Sequence, residues 1–362
     1  MTRSRSRALV VTAVTSALVL AACGATNSSA PASSTAAPAK VGVILPDSSS
    51  SARWETADRP YLAEAFTAAG IEFDIQNAGG DKATFTTLCD GMISAGVTVL
   101  MIVNLDSDTG AACEKKAAAR GIKTIDYDRL TLGGGAAVYV SFDNVAVGRA
   151  EGDGLVSCLN DAGVTSGTVA LLNGSPTDNN ATLFRQGYEK AITNAGFTIG
   201  QNQSVPDWDD VKGGVIFEQM FTSDPTIVGV VAANDGLGGA VIDVLAQNGL
   251  AGTVPVTGQD ATDEGLTRVL EGTQCVTVYK AIKKEADTAA AAAIALSRGE
   301  APATNGVVID TVSGRDVPSV LLEPQAIFRD NVKDVLVAGF TTASRICTTE
   351  AAQAACLELG IS

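Results

Sequence analysis

The sequence predicts an α/β protein made of two doubly wound lobes, each a mostly parallel sheet with helices on both faces. Three observations carry this. Short β-branched apolar runs alternate with amphipathic stretches of helical period that stop at glycine. The runs are apolar on both parities, as in strands covered from two sides. The alternation also passes through the chain twice, in halves of about a hundred residues each, an ordinary domain size.

In the first half, residues 41–45 read as a strand, 55–69 as a helix closed by Gly70, and 72–76 as a strand. Residues 82–95 form the next helix, stopping at Gly96; 97–103 are a strand, 109–120 a helix stopped by Gly121, and 123–126 a strand. The second round follows Ser141-Phe142-Asp143-Asn144, with a helix over 145–160, a strand over 168–172 and a helix over 180–195 ended by Gly196. A strand over 198–203, a helix over 214–221, a strand over 227–232, a helix over 239–248 ended by Gly249, and a strand over 255–257 complete it. Glycine after five of these seven helices supplies the left-handed residue that closes a helix.

The 362 residues are 46% apolar and carry no histidine, which removes His-based acid/base chemistry, His-dependent catalytic triads and His-containing metal sites. No metal and no cofactor is expected. The formal charge of −15 argues against nucleic acid and other polyanions as partners. Gly236, Gly238 and Gly239 follow a strand and open a helix, but the third glycine of a dinucleotide fingerprint would fall at Val241, and no phosphate-binding GxxxxGK[ST] occurs.

Arg3, Arg5 and Arg7 precede an uncharged run of 15 residues, Ala8 to Ala22, which is too short to span a bilayer but suits a signal peptide. The run ends Leu20-Ala21-Ala22-Cys23 and resembles the lipobox of bacterial lipoproteins. Residues 1–22 are thus expected to be a lipoprotein signal peptide and Cys23 the lipid attachment. Residues 23–39, built of Ser, Thr, Ala, Pro, Asn and Gly, are expected to form a flexible tether, placing the protein on the outer face of the cell membrane. Six cysteines remain, and an even count outside the cytoplasm favours disulfides. Cys89 and Cys113 fall on consecutive helices of one lobe and are expected to pair; Cys347 and Cys356 are expected to staple the C-terminal tail, leaving Cys158 and Cys275.

Ligands of open parallel sheets gather where strands end. The residues following the strands include Arg53-Trp54, Asp128-Arg129, Asp178 with Asn180, Trp208, Asn234-Asp235, Asp260 and Tyr279-Lys280. Asp178 and Asp235 also suit helix N-caps, and Arg129 a surface ion pair. Asp and Asn acceptors beside Arg, Lys and Asn donors, with both tryptophans of the chain, suit a neutral sugar, whose hydroxyls donate and accept and whose C–H faces need flat partners.

At these residues the sequence resembles the periplasmic monosaccharide-binding proteins of ATP-binding-cassette (ABC) importers, most closely the xylose-binding and multiple-sugar-binding kinds. The resemblance rests on Ser50-Ser51-Ala52-Arg53-Trp54, Tyr127-Asp128-Arg129-Leu130, Ser141-Phe142-Asp143-Asn144, Gly174-Ser175-Pro176 with Asp178-Asn179-Asn180-Ala181, Asn234-Asp235-Gly236, Gly258-Gln259-Asp260-Ala261 and Val278-Tyr279-Lys280. It implies the type I periplasmic binding protein fold, two Rossmann-like lobes with three interlobe crossovers, placed near 141–144, 275–280 and 311–318. Residues 40–143 with 281–310 would then form the N-terminal lobe, 144–275 with 319–340 the C-terminal lobe, and 341–362 a tail. It also implies that Arg53, Trp54, Asp128, Arg129, Asp178, Asn180, Trp208, Asn234, Asp260 and Lys280 hold the sugar. The expectation is a monomeric, non-enzymatic receptor that captures an aldose, with xylose first and glucose, galactose or arabinose as alternatives, and delivers it to an ABC importer permease. A receptor reporting sugar to a membrane kinase is the rival reading.

Overall fold

The computed structural model describes residues 39–361; the signal segment, Cys23 and nearly all of the tether lie outside the described residues. The chain opens with β1 (Lys40–Leu45), a π-helical turn (Trp54–Asp58) running into α1 (Arg59–Ala68), β2 (Glu72–Asn77), α2 (Lys82–Ser94), β3 (Val99–Ile102), α3 (Ser107–Ala118), β4 (Lys123–Tyr127) and β5 (Val138–Phe142). It crosses over to α4 (Asn144–Asp161), β6 (Thr168–Asn173), α5 (Asn179–Asn194), β7 (Thr198–Ser204), α6 (Asp210–Ser223), β8 (Gly229–Ala232), α7 (Asp235–Gln247), β9 (Thr257–Gln259), α8 (Asp263–Glu271) and β10 (Val276–Tyr279). It returns through α9 (Ile282–Ser297), β11 (Gly306–Ile309) and β12 (Asp316–Leu322), then crosses a third time to β13 (Gln325–Ile327), α10 (Lys333–Val337), α11 (Ala343–Ile346) and α12 (Glu350–Leu359).

The first lobe is a seven-stranded sheet in the order β11-β12-β5-β4-β3-β1-β2, parallel except where β11 meets β12. Its strands are apolar on both parities because both faces are covered. Val41, Val43 and Leu45 of β1 pack with Leu62 and Phe66 of α1 and the alanines of α9. Ile44, between them, joins Leu100 and Ile102 against Phe85, Met92 and Ala117 of α2 and α3. The second lobe has two three-stranded parts, β7-β6-β8 and β13-β10-β9, stitched by a bridge from Val230 to Val256. Here α4 and α5 approach closely because a Cβ at Gly148 would strike the backbone of Phe184, and one at Gly187 the backbone of Val145 and Arg149.

Several boundaries differ from the sequence expectation for local reasons. Asp209 and Asn234 accept from the backbone N–H groups of Lys212 (3.0 Å) and Leu237 (2.9 Å), so α6 and α7 begin four residues early, in glycine-containing turns with little apolar signal. The third crossover is not at 311–318. That stretch is the turn of the β11–β12 hairpin, folded by Asp310, which accepts from the Val312 N–H at 2.9 Å and the Ser313 hydroxyl at 2.5 Å. Strand β12 stays in the first sheet, with Ser319 opposite Tyr139, and the crossing falls between Leu322 and Gln325. Nor is 341–361 a loose tail. Ile346, Ala352, Ala355 and Cys356 bury against Leu266, Val269 and Leu270 of α8 and Val332 and Val335, forming an outer layer on the second lobe.

All three disulfides are present: Cys89 to Cys113, Cys158 to Cys275 and Cys347 to Cys356. They close loops of very different length, with sequence separations of 24, 117 and 9. Chain-entropy arguments predict that the double substitution Cys158→Ala/Cys275→Ala costs about 5 kcal/mol, against about 2.5 kcal/mol for Cys347→Ala/Cys356→Ala. Urea unfolding of the two variants should show that order, and the reverse order would contradict it.

Candidate functional site

The site is assembled from turns that follow the strands. After β1, Asp47 accepts from the backbone N–H groups of Ser49 (2.8 Å) and Ser50 (2.5 Å), folding the serine run so that the π-helical turn carries Arg53 and Trp54 inward. After β4, Asp128 is left-handed at φ 61°; after β9, Asp260 has φ 92°; and Asp207 and Trp208 have φ 61° and 57°. Such backbone costs about 1–2 kcal/mol per residue and persists only where the surroundings enforce it. Asp178 and Asn234 are N-caps of α5 and α7, as well as cavity-lining residues.

All ten residues that the resemblance assigns to the sugar line one cavity of about 30 Å³ between the lobes; Asp235 and Tyr279, which the sequence also places after strands, do not. Ser50, Ser51, Phe184 and Gln259 complete its wall and were not anticipated as lining residues. Phe184 lies one helical turn beyond Asn180 on α5, so helical spacing is the signal that could have found it.

The two tryptophans bring flat surfaces from opposite lobes. Arg53 lies 4.4 Å above the Trp54 ring, whose indole N–H donates to Ser50 Oγ at 3.2 Å. Trp208 stands edge-on to Phe184 at 6.4 Å and donates its indole N–H to Asp178 Oδ2 at 3.1 Å. It sits directly over Gly174, where any Cβ would enter the ring.

Charged groups are arranged in pairs. Arg53 is the most heavily committed, donating from Nε to Asp58 Oδ2 (2.8 Å), from Nη2 to Asp58 Oδ1 (2.7 Å) and Glu285 Oε2 (2.7 Å), and from Nη1 to Asp128 Oδ2 (2.9 Å). With five N–H donors per guanidinium, a single one remains for a ligand, so Arg53 chiefly aims Asp128. Lys280 Nζ is 2.9 Å from Asp260 Oδ1. Burial works against the charge of Lys280, but Asp260 and Asp128 outweigh it and hold its pKa above the ordinary lysine value. Burial likewise opposes ionisation of Asp128, yet Arg53, Lys280 and Arg129 hold it below the usual carboxylate range. Asp128 is therefore an acceptor and not a proton donor.

The lobes also bond directly to each other across the cleft. Asn180 Nδ2 donates to the Asp128 carbonyl (2.9 Å) and to Asp128 Oδ1 (3.1 Å), and Arg129 Nε reaches Asp178 Oδ2 at 2.9 Å. Weaker links run from Ser51 Oγ to Asp260 Oδ2 and from Asn234 Nδ2 to the Ser50 carbonyl, both at 3.4 Å. The lobes stand closed, with every cavity-lining charge near an opposite one. Among the described residues no cluster of His, Cys, Asp and Glu has the makings of a metal site.

Glu285, behind Arg53, is fully buried, and burial pushes its pKa up to about 8; Arg53 opposes the rise, while Asp128 and Asp58 add to it. The ordinary value is 4.5, so between these limits the folded state binds the extra proton and stability falls as pH rises. Relative to Glu285→Gln, which is neutral throughout, the wild type is expected to lose on the order of 1 kcal/mol per pH unit from pH 5 to pH 8. Urea unfolding across that range measures the difference, and parallel curves for the two proteins would refute it.

The chain and its fold have known relatives. Residues 41–301 match the periplasmic binding protein domain. The chain is 34% identical over 303 residues to the D-xylose-binding periplasmic protein of Escherichia coli (strain K12), covering 82% of this chain and 89% of that protein. It is 30% identical over 324 residues to a multiple sugar-binding periplasmic protein of Azospirillum brasilense, covering 82% and 88%. Among solved structures, a carbohydrate transporter solute binding protein from Chloroflexus aurantiacus in complex with D-glucose matches with a TM-score of 0.76 at 28% identity, over 84% of this chain and 97% of its own. With two doubly wound lobes, three crossovers and a charged, tryptophan-walled cavity between them, the chain belongs to the type I periplasmic sugar-binding proteins, a family of solute receptors and not of enzymes.

Proposed function

We propose that this protein is the extracytoplasmic receptor of an ABC sugar importer, that it captures an aldose by closure of its two lobes, and that xylose is its preferred ligand. The observation that carries the reading is the convergence of acceptors, donors and two indoles, drawn from turns of both lobes, on a single buried cavity. Asp128, Asp178, Asp260 and Asn234 offer acceptors, while Arg129, Lys280 and Asn180 offer donors. The space of about 30 Å³ is water-sized, so a hydroxylated ring enters only when the pairs that now satisfy each other part, and it then takes over both halves of them. The relatives named for D-xylose and for multiple sugars support an aldose; glucose, galactose and arabinose are the alternatives. Each sugar contacts both lobes only when they approach, so binding favours the closed form by its differential contacts, and that form is the one offered to the permease. The receptor acts as a monomer.

The direct test is isothermal titration of xylose and its epimers and homologues. Loss of either side of a hydrogen bond that involves a charged group in a dry cleft costs about 1.5–3 kcal/mol, or roughly 10- to 150-fold. Losses of that size are expected for Asp260→Ala, Arg129→Ala and Asn180→Ala. Near-native affinity in all three, or stabilisation by amino acids or nucleotides and by no aldose, would refute the assignment.

The lipid anchor at Cys23 follows from the lipobox resemblance and the tether sequence, which together fit a receptor held at the outer face of the membrane. Cys23→Ser is expected to move the protein from the membrane fraction to the medium or soluble fraction. An unchanged distribution would remove the anchor.

A further inference from the structure

Asp126 and Asp235 lie behind the cavity, one in each lobe, at 0% and 1% exposure. Neither lines it. Each carboxylate grips a threonine just downstream of a left-handed aspartate. Asp126 Oδ2 accepts from the Thr131 N–H at 2.9 Å and Oδ1 from the Thr131 hydroxyl at 2.6 Å, three residues after Asp128. Asp235 Oδ2 accepts from the Thr262 N–H at 2.8 Å and the Thr262 hydroxyl at 3.1 Å, two residues after Asp260.

Each grip is reinforced. Asn104 Nδ2 donates to Thr131 Oγ1 (3.0 Å) and to the Arg129 carbonyl (3.2 Å). Asp235 Oδ1 takes two more donors, Gln274 Nε2 at 2.7 Å and Thr277 Oγ1 at 2.8 Å, and Thr277 Oγ1 in turn accepts from the Ala261 N–H at 3.1 Å. The space for the Asp235 carboxylate exists because positions 258 and 265 are glycine: a Cβ at either would overlap its oxygens.

We infer that Asp126 and Asp235 are matched positioning residues that hold the left-handed turns at Asp128 and Asp260 in binding geometry, and so set the sugar affinity of the receptor. The inference rests on the sugar-receptor reading. A backbone in the left-handed region relaxes unless its neighbours fix it, and the threonine clamp is what fixes these two. Protonation weakens a clamp of this kind, because a carboxyl group loses acceptor capacity. Burial pushes both groups up to about 6. The charged and titratable groups facing Asp126 are Glu114 on α3, Tyr139 on β5 and Arg315 from the β11–β12 hairpin. Those facing Asp235 are Arg268 on α8 and Glu151 on α4.

The test compares wild type with Asp126→Asn and Asp235→Asn, substitutions that keep the volume and leave one clamp donor without an acceptor. At pH 7.5 each variant is expected to bind the aldose that the wild type prefers about tenfold or more weakly. Wild-type affinity should fall below about pH 6, and the double variant should show a flatter profile. Folded variants with wild-type affinity and pH profile would overturn the inference. If either asparagine variant fails to fold, Thr131→Val and Thr262→Val remove one donor per clamp and are expected to weaken binding about threefold or more, with unchanged affinity overturning the inference. Amide hydrogen exchange at Thr131 and Thr262 in ligand-free protein reads the clamps whether or not any sugar binds. Faster exchange in the asparagine variants supports them and unchanged exchange rejects them, whereas a wild type that binds no aldose rejects the receptor reading alone.

Discussion

The rest of this architecture depends on the burial of one guanidinium among three carboxyl groups. Arg53 ties the turn before α1, where Asp58 is five residues away, to the end of β4 and the first turn of α9, which reach it from 75 and 232 residues away. Tyr127 also donates its hydroxyl to Asp58 at 2.5 Å. An ion cluster of this kind is a poor source of net stability, since desolvation offsets most of the attraction, but removing one member leaves uncompensated charge and costs about 3–5 kcal/mol. Its value is therefore in specification. The carboxylate of Asp128 can point in one direction only, and it points at the cavity.

The same principle shapes the cleft as a whole. Ion pairs and amide contacts between the lobes offer partners that are already ionised and desolvated, and in the proposed function a sugar has to match their spacing to compete with them. A ligand that lacks one hydroxyl leaves a buried charge unpaired, which penalises it far more than a missing methylene would in an apolar pocket. The three crossovers that join the halves are each only a few residues long.

Much of this was legible in the sequence. Glycine-ended helices and two-faced strands revealed the lobes, and the polar residues after each strand led to the cavity, because strand ends and ligand sites coincide in parallel sheets. What escaped was encoded in long-range pairing. Strand β12 carries no local sign that it returns to the first sheet, and the Thr311 to Gly314 turn reads equally well as a crossing or as a hairpin. The C-terminal helices looked unsupported because their partners on α8 lie some eighty residues earlier in the chain. Asp58 and Glu285 gave no signal either: each is one acid among 40, and only the fold puts them against Arg53.

The cross-link between Cys158 and Cys275 bears on mechanics. It joins the end of α4 to the start of β10, so that Asp178, Asn180, Trp208, Asn234 and Asp260 all lie within the covalent ring it closes. Tension applied to the two ends of the polypeptide passes through the sulfur bridge and bypasses the ring. The bypassed stretch, 117 residues in sequence, would otherwise add about 400 Å of extended length. A chain pulled through a narrow pore or tugged from one end would thus present the second lobe's share of the cleft as a bulky, unextendable knot, while the first lobe's share, including Arg53 and Asp128, remains free to unravel.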